Sequence, residues 1–147
     1  IEGDISIQKI VDIAKEMDRV GVYEISLGDT TGMSDPVLTF NVFDAVLSKV
    51  AKASVAAHFH NYKGLEFANV MAALEAGITV FDGAAGGLGG CPYAPGATGN
   101  TATEYLVEMF EKMGISTGID KESIKACGQY AQQISAYSGD KKCSDKR

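Results

Sequence analysis

A chain of 147 residues, 46% hydrophobic and 22% charged, has the size and balance of one globular domain with a sizeable buried core. Its net charge of −6 and pI near 4.8 argue against nucleic acid, whose binders present basic faces. No apolar run reaches the roughly 18 residues of a membrane-spanning helix, so neither nucleic acid nor membrane is expected as a partner.

In chain order, SIQKIVDIAKEMDRVG (6–21) spaces Ile7, Ile10, Val11, Ala14 and Met17 along one helical face, with Gly21 as the stop. VYEISLG (22–28) is short and rich in β-branched and aromatic residues, which predicts a strand. SDPVLTFNVFDAVLSKV (34–50) predicts a helix capped by Ser34 or Asp35, with Pro36 at its first position. SVAAHFH (54–60) reads as the second strand, GLEFANVMAALEAG (64–77) as a helix closed by Gly77, and ITVFDG (78–83) as the third strand. TATEYLVEMFEKMG (101–114) has the form of a helix opened by a capping box of Thr101 and Glu104. KESIKACGQYAQQISAY (121–137) predicts a last helix, and 138–147 a polar tail.

Helices alternating with strands imply an α/β fold of parallel strands joined by crossovers. A small open sheet and a part of a (β/α)8 barrel both fit, and functional groups collect at the C-terminal strand ends in either. Three strands cannot close a barrel that takes about 250 residues, so length alone favours the open sheet. Asp29, the pair His58 and His60, and the loop holding Cys91 follow the first, second and third strands in turn.

His58 and His60 are the only histidines, and two positions apart on a strand they share a face. Two imidazoles on one face suit a divalent metal, and equally a polar strand end. Asn100 supplies either an amide oxygen to the same ion or a helix cap. Imidazole with amide and carboxylate oxygens, and no thiolate, points to Mg²⁺ or Mn²⁺ rather than structural zinc. Asp29 sits where an acid reaches the same mouth, or serves as a turn former. GGLGGCPYAPGATGN (86–100) holds six glycines, two prolines and Cys91; such a loop can bring a thiol over a ligand, or is a tight turn in which the cysteine is incidental. The three cysteines, at 91, 127 and 143, fit neither a disulfide framework nor a zinc ribbon, which favours a reducing compartment. Glu24 shares parity with Ser26 and Gly28, either inward or solvated. Glu66 and Glu75 are expected at the surface, and Glu104 is explained by its cap.

Taken together these residues resemble the C-terminal part of the 3-hydroxy-3-methylglutaryl-CoA lyases, in the metal-dependent TIM-barrel superfamily of lyases and Claisen condensing enzymes. The resemblance rests on GLGGCPYAPGATGN (87–100), YEISLGDTTG (23–32), HFHN (58–61) and EAGITVFDGAAGGLGG (75–90), in order and spacing, and runs from Ile1 to about Gly118. It implies that 1–137 is a partial TIM barrel, strands six to eight of eight. It makes His58, His60 and Asn100 ligands of a divalent metal (Mg²⁺ or Mn²⁺), Cys91 a catalytic thiol, and Asp29 an active-site acid. His58 or Asp29 would be the base. The implied reaction is retro-Claisen cleavage of an acyl-CoA substrate to acetyl-CoA and acetoacetate, in a full-length homodimer. The compartment would be the mitochondrial matrix in a eukaryote, or the cytoplasm in a bacterium. Two features depart from the family pattern. Asn61, Tyr62 and Lys63 replace an Asp-Thr-Tyr run, and the first-strand Arg and metal-ligating Asp have no counterpart. The alternatives are a related acyl-CoA lyase or condensing enzyme, and a non-catalytic paralogue that docks onto a partner half-barrel.

Overall fold

The computed structural model describes residues 5–62, 64–89 and 99–137. In order it contains α1 (Ile7–Val20), β1 (Glu24–Asp29), α2 (Pro36–Leu47), β2 (Ser54–Phe59), α3 (Glu66–Ala76), β3 (Val80–Asp82), a 3-10 turn (Ala85–Gly87), α4 (Thr103–Lys112) and α5 (Lys121–Tyr137). Gly21 and Gly77 end α1 and α3 in the left-handed region, at φ +93° and +109°, as their positions in the sequence predict. Asp35, rather than Ser34, caps α2: its Oδ1 accepts from the N–H groups of Val37 and Leu38 at 2.9 Å each. The Ser34 hydroxyl instead meets Thr39 Oγ1 at 2.8 Å.

The strands pair parallel in the order β1-β2-β3, with Gly28, His58 and Asp82 in one row across the sheet. Ile25, Val55, Ala57 and Phe59 leave one face and meet Val11, Ala14, Phe43, Val46, Val70 and Phe110 from the helices. Burial of each Val, Ile or Phe contributes about 1.5–3 kcal/mol relative to exposure, and Phe43 meets Phe59 edge-on at 6.2 Å. The alternate residues Glu24, Ser26, Gly28, His58 and Asp82 take the opposite, polar face. β2 is one residue shorter than expected, because His60 leaves the sheet to pair antiparallel with Asn100. β3 shortens to three residues. Among the described residues no helix is long and apolar enough to cross a membrane.

The expected capping box does not form. Ala102 occupies the N-cap of α4, which begins at Thr103. The Thr101 hydroxyl donates to the Phe59 carbonyl at 3.0 Å, and both Glu104 oxygens accept from Gly86 N–H, at 3.2 and 3.0 Å. Tertiary partners with stronger claims have taken both side chains. Glu66 also differs from expectation. It is only 5% exposed, and three residues on, Asn69 Nδ2 donates to Ser34 O at 2.8 Å, tying α3 to the segment before α2. Glu75 is exposed, as expected.

At the other end of the sheet, the buried carboxylate of Asp18 closes α1 onto the approach to β2. Its oxygens accept from the N–H groups of Ala53 (2.7 Å), Lys52 (3.0 Å) and Ala51 (3.2 Å). The Ala53 N–H foremost, with those of Ala51 and Lys52 behind it, outweighs the opposing effect of burial and holds the carboxyl below its ordinary value of 3.8. The folded pKa is depressed, so the stabilisation is complete above the unfolded value and is lost as pH falls from there through the folded one. Urea denaturation of the native protein and Asp18→Asn should show the variant less stable at pH 7, with the gap closing as the solution is acidified through that window. A gap independent of pH would mean that the charge is not its source.

Candidate active site

His58 lies in β2 between Gly28 of β1 and Asp82 of β3. The missing side chain at Gly28 leaves space beside the ring: a Cβ there would stand 3.8 Å from His58 Cδ2. Nδ1 of His58 is hydrogen-bonded to Oδ1 of Asp82, and Ser26 Oγ donates to Oδ2 of the same carboxylate at 3.4 Å. His60 follows on the same face, its ring centroid 4.8 Å from that of His58 and its plane turned by 80°. Its Nδ1 lies 2.8 Å from the Asp29 carbonyl oxygen. A carbonyl can only accept, so Nδ1 carries the proton and Nε2 holds the lone pair in the neutral ring. The Asp82 carboxylate, when ionised, imposes the same tautomer on His58.

Residues 99–101 return beside the end of β2. Asn61 N donates to Gly99 O at 2.9 Å, and Thr101 N to Phe59 O at 3.1 Å. His60 and Asn100 therefore stand directly opposite each other, which sends both side chains to one side with Cβ atoms about 4.5–5.5 Å apart. The Asn100 amide donates through Nδ2 to Leu88 O at 2.7 Å, which leaves Oδ1 as its acceptor. Two glycines make that approach possible. A Cβ at Gly89 would come within 2.7 Å of Asn100 Nδ2, and one at Gly99 within 2.4 Å of Gly87 O. Asn100 is thus no cap for α4, whose N-cap is Ala102.

His58, His60 and Asn100 are brought together, two imidazole nitrogens and one amide oxygen with their other polar atoms already engaged. Among the described residues no three His, Cys, Asp or Glu side chains cluster as a metal site; the amide of Asn100 falls outside those residue types. Asp29 meets the group through its backbone. Its carbonyl holds His60, while its Oδ2 accepts from Ser34 N at 3.1 Å and its carbonyl from Gly32 N at 3.1 Å, the geometry of a turn former. Glu24 is half-buried on the histidine face. Cys91 lies outside the described residues. Sequence reasoning passed over Asp82. Its signal was available, an acid at the end of ITVFDG on the parity of a strand face, but its pairing with His58 depends on inter-strand register.

The HMGL-like family model matches residues 1–130. A hydroxymethylglutaryl-CoA lyase of Bacillus subtilis is 42% identical over 132 residues, which are 90% of this chain and 44% of that protein. The crystal structure of the HMG-CoA lyase from Brucella melitensis superposes with a TM-score of 0.85 at 38% identity, covering 90% of this chain and 47% of that one. An HMG-CoA lyase from Acinetobacter baumannii, solved in complex with coenzyme A and 3-methylmalate, gives 0.83 at 38% identity, over 100% and 50% of the two chains. The chain spans less than half the length of the curated relatives it matches. These neighbours are TIM barrels, so the three parallel strands are part of such a barrel. Length had favoured the open sheet, an inference that treats the strands in hand as the whole set.

The hydrogen bonds assign both rings one tautomer, which ¹⁵N NMR of the imidazoles reads directly. Both should be protonated at Nδ1 near neutral pH. Asp82→Ala should shift His58 towards a mixture of tautomers and leave His60 unchanged, since its partner is backbone. A matching shift in His60 would show that the two rings are not oriented independently.

Proposed function

Because the chain belongs to the HMGL-like family, whose model spans residues 1–130, we propose that it forms the part of a hydroxymethylglutaryl-CoA lyase holding most of a divalent-metal site and the catalytic thiol. One observation carries the proposal: Nδ1 of His60 and Nδ1 of His58 are bound to fixed acceptors, and the Asn100 amide N–H to Leu88 O. Such outer partners orient ligating atoms in metal centres. The donor set fits a hard ion such as Mg²⁺ or Mn²⁺, held by His58 Nε2, His60 Nε2 and Asn100 Oδ1 with oxygen ligands from elsewhere.

The proposed reaction cleaves 3-hydroxy-3-methylglutaryl-CoA to acetyl-CoA and acetoacetate. Bound there, the ion would supply Lewis acidity that lowers the pKa of the substrate hydroxyl. The hydroxyl must lose its proton as the carbon–carbon bond breaks, and the departing acetyl-CoA enolate must gain one at carbon. With Nδ1 donating to Asp82, Nε2 is the one lone pair left on a neutral His58, and as a ligand of the ion it would not be free to take that proton. The base is then Asp29, through Oδ1, the oxygen not engaged by Ser34 N. The Cys91 thiol delivers a proton to the enolate carbon. The proton taken by Asp29 and the one given by Cys91 cancel, so the cleavage consumes no outside donor.

The test is acetoacetate release from 3-hydroxy-3-methylglutaryl-CoA by the Mn²⁺-loaded native protein, beside a panel of other hydroxyacyl-CoA thioesters. Acetoacetate should appear only from the first. Cys91→Ser should lower turnover by about 10²–10⁴-fold, the range of a general acid, with Mn²⁺ binding retained. Full turnover by Cys91→Ser would remove the thiol from the mechanism. Cleavage of another thioester alone would move the chain to a related acyl-CoA lyase.

A further inference from the structure

Helix α5 packs against the 3-10 turn and α4 through a glycine in its interior. Gly128 is buried in α5, where alanine is the more stabilising residue for a helix. Its missing side chain is accounted for by what it faces: a Cβ there would stand 2.4 Å from Glu104 Oε1 and 3.0 Å from Oε2. Both oxygens accept from Gly86 N–H. Gly86 adopts φ +71°, and a Cβ on it would lie 2.7 Å from Gly128 O. The Gly86 carbonyl accepts from Gln132 Nε2 at 3.1 Å, one turn further along α5. Gly86 is therefore gripped at its N–H by α4 and at its carbonyl by α5.

Two residues beyond Gly86, the carbonyl of Leu88 receives the Asn100 amide at 2.7 Å. The backbone on either side of Asn100 is held separately, by the end of β2. What the turn governs is the rotation of the Asn100 side chain and with it the aim of Oδ1. We propose that Gly128 is a positioning residue for Asn100. By leaving room for Glu104 to hold Gly86, it lets the docking of α5 set the affinity of the metal site from outside the strands that bear its ligands. The proposal rests on Asn100 being a ligand, and its test separates the two.

Mn²⁺ binding by the intact protein, followed by the loss of the free-ion EPR signal, is measured for the parent, Gly128→Ala, Asn100→Ala and the double variant. Gly128→Ala pushes against the far end of the Glu104 side chain rather than against backbone and improves helix propensity, so the fold should survive with thermal unfolding little changed. Its Mn²⁺ affinity should fall about tenfold, the lower end for loss of a partner that orients a ligand. In the Asn100→Ala background the same change should cost nothing further. Unchanged affinity for Gly128→Ala overturns the proposal, and so does an equal loss in both backgrounds. No effect of Asn100→Ala alone would instead overturn the metal reading beneath it. Should Gly128→Ala fail to fold, exposed Gln132→Ala decides by the same cycle: a loss confined to the parent background supports the route through Gly86, and an equal loss in both overturns it.

Discussion

Parallel pairing obliges three strands to finish on one edge of the sheet, and the polar groups at that edge exist as a group only because of it. Gly28, His58 and Asp82 lie in one row because β1, β2 and β3 run the same way in register. The acid that orients His58 comes from one neighbour, and the gap beside its ring from the other. The carbonyl that orients His60 is also contributed across strands, from Asp29 at the end of β1. Reversing any one strand would put its contribution at the far end of the sheet.

Alternation along the strands divides the molecule. Residues such as Ile25, Val55, Ala57 and Phe59 are spent on the helices, and the intervening ones are released for polar work. This face is the inner one in the barrel to which the strands belong, where side chains from several strands converge. Asn100 joins that face by another route. It does not sit on a strand of the parallel sheet, and it stands opposite His60 because residues 99–101 pair antiparallel with the end of β2.

Local patterns in the sequence carried the helix stops at Gly21 and Gly77, the cap region before Pro36, and the shared face of His58 and His60, because each depends on residues a few positions apart. What depended on distant partners was not legible in that way. Asp82 is an unremarkable strand-end acid until register places it beside His58. Thr101 and Glu104 match a capping box letter for letter, but the Phe59 carbonyl and the Gly86 N–H lie within reach in three dimensions and take both side chains. Glu66 looks like a surface charge because nothing in its neighbours along the chain signals that the fold buries it. The barrel itself was legible through resemblance and not through physics, since three strands and their helices satisfy an open sheet equally well.

Asp18 works at the opposite end from all of this, on the segment that leads into β2. In barrels of this kind the ends of the strands divide the labour, one end for persistence and the other for chemistry. A lesion at Asp18 would therefore behave as a defect of quantity: fewer molecules folded at any moment, each with its imidazoles and amide correctly placed. Cells carrying it would be short of protein rather than supplied with a poor one, and a small molecule that binds the folded form would restore them by mass action. A lesion at Asp82 would answer to no such remedy, because there the folded molecule is itself what has changed.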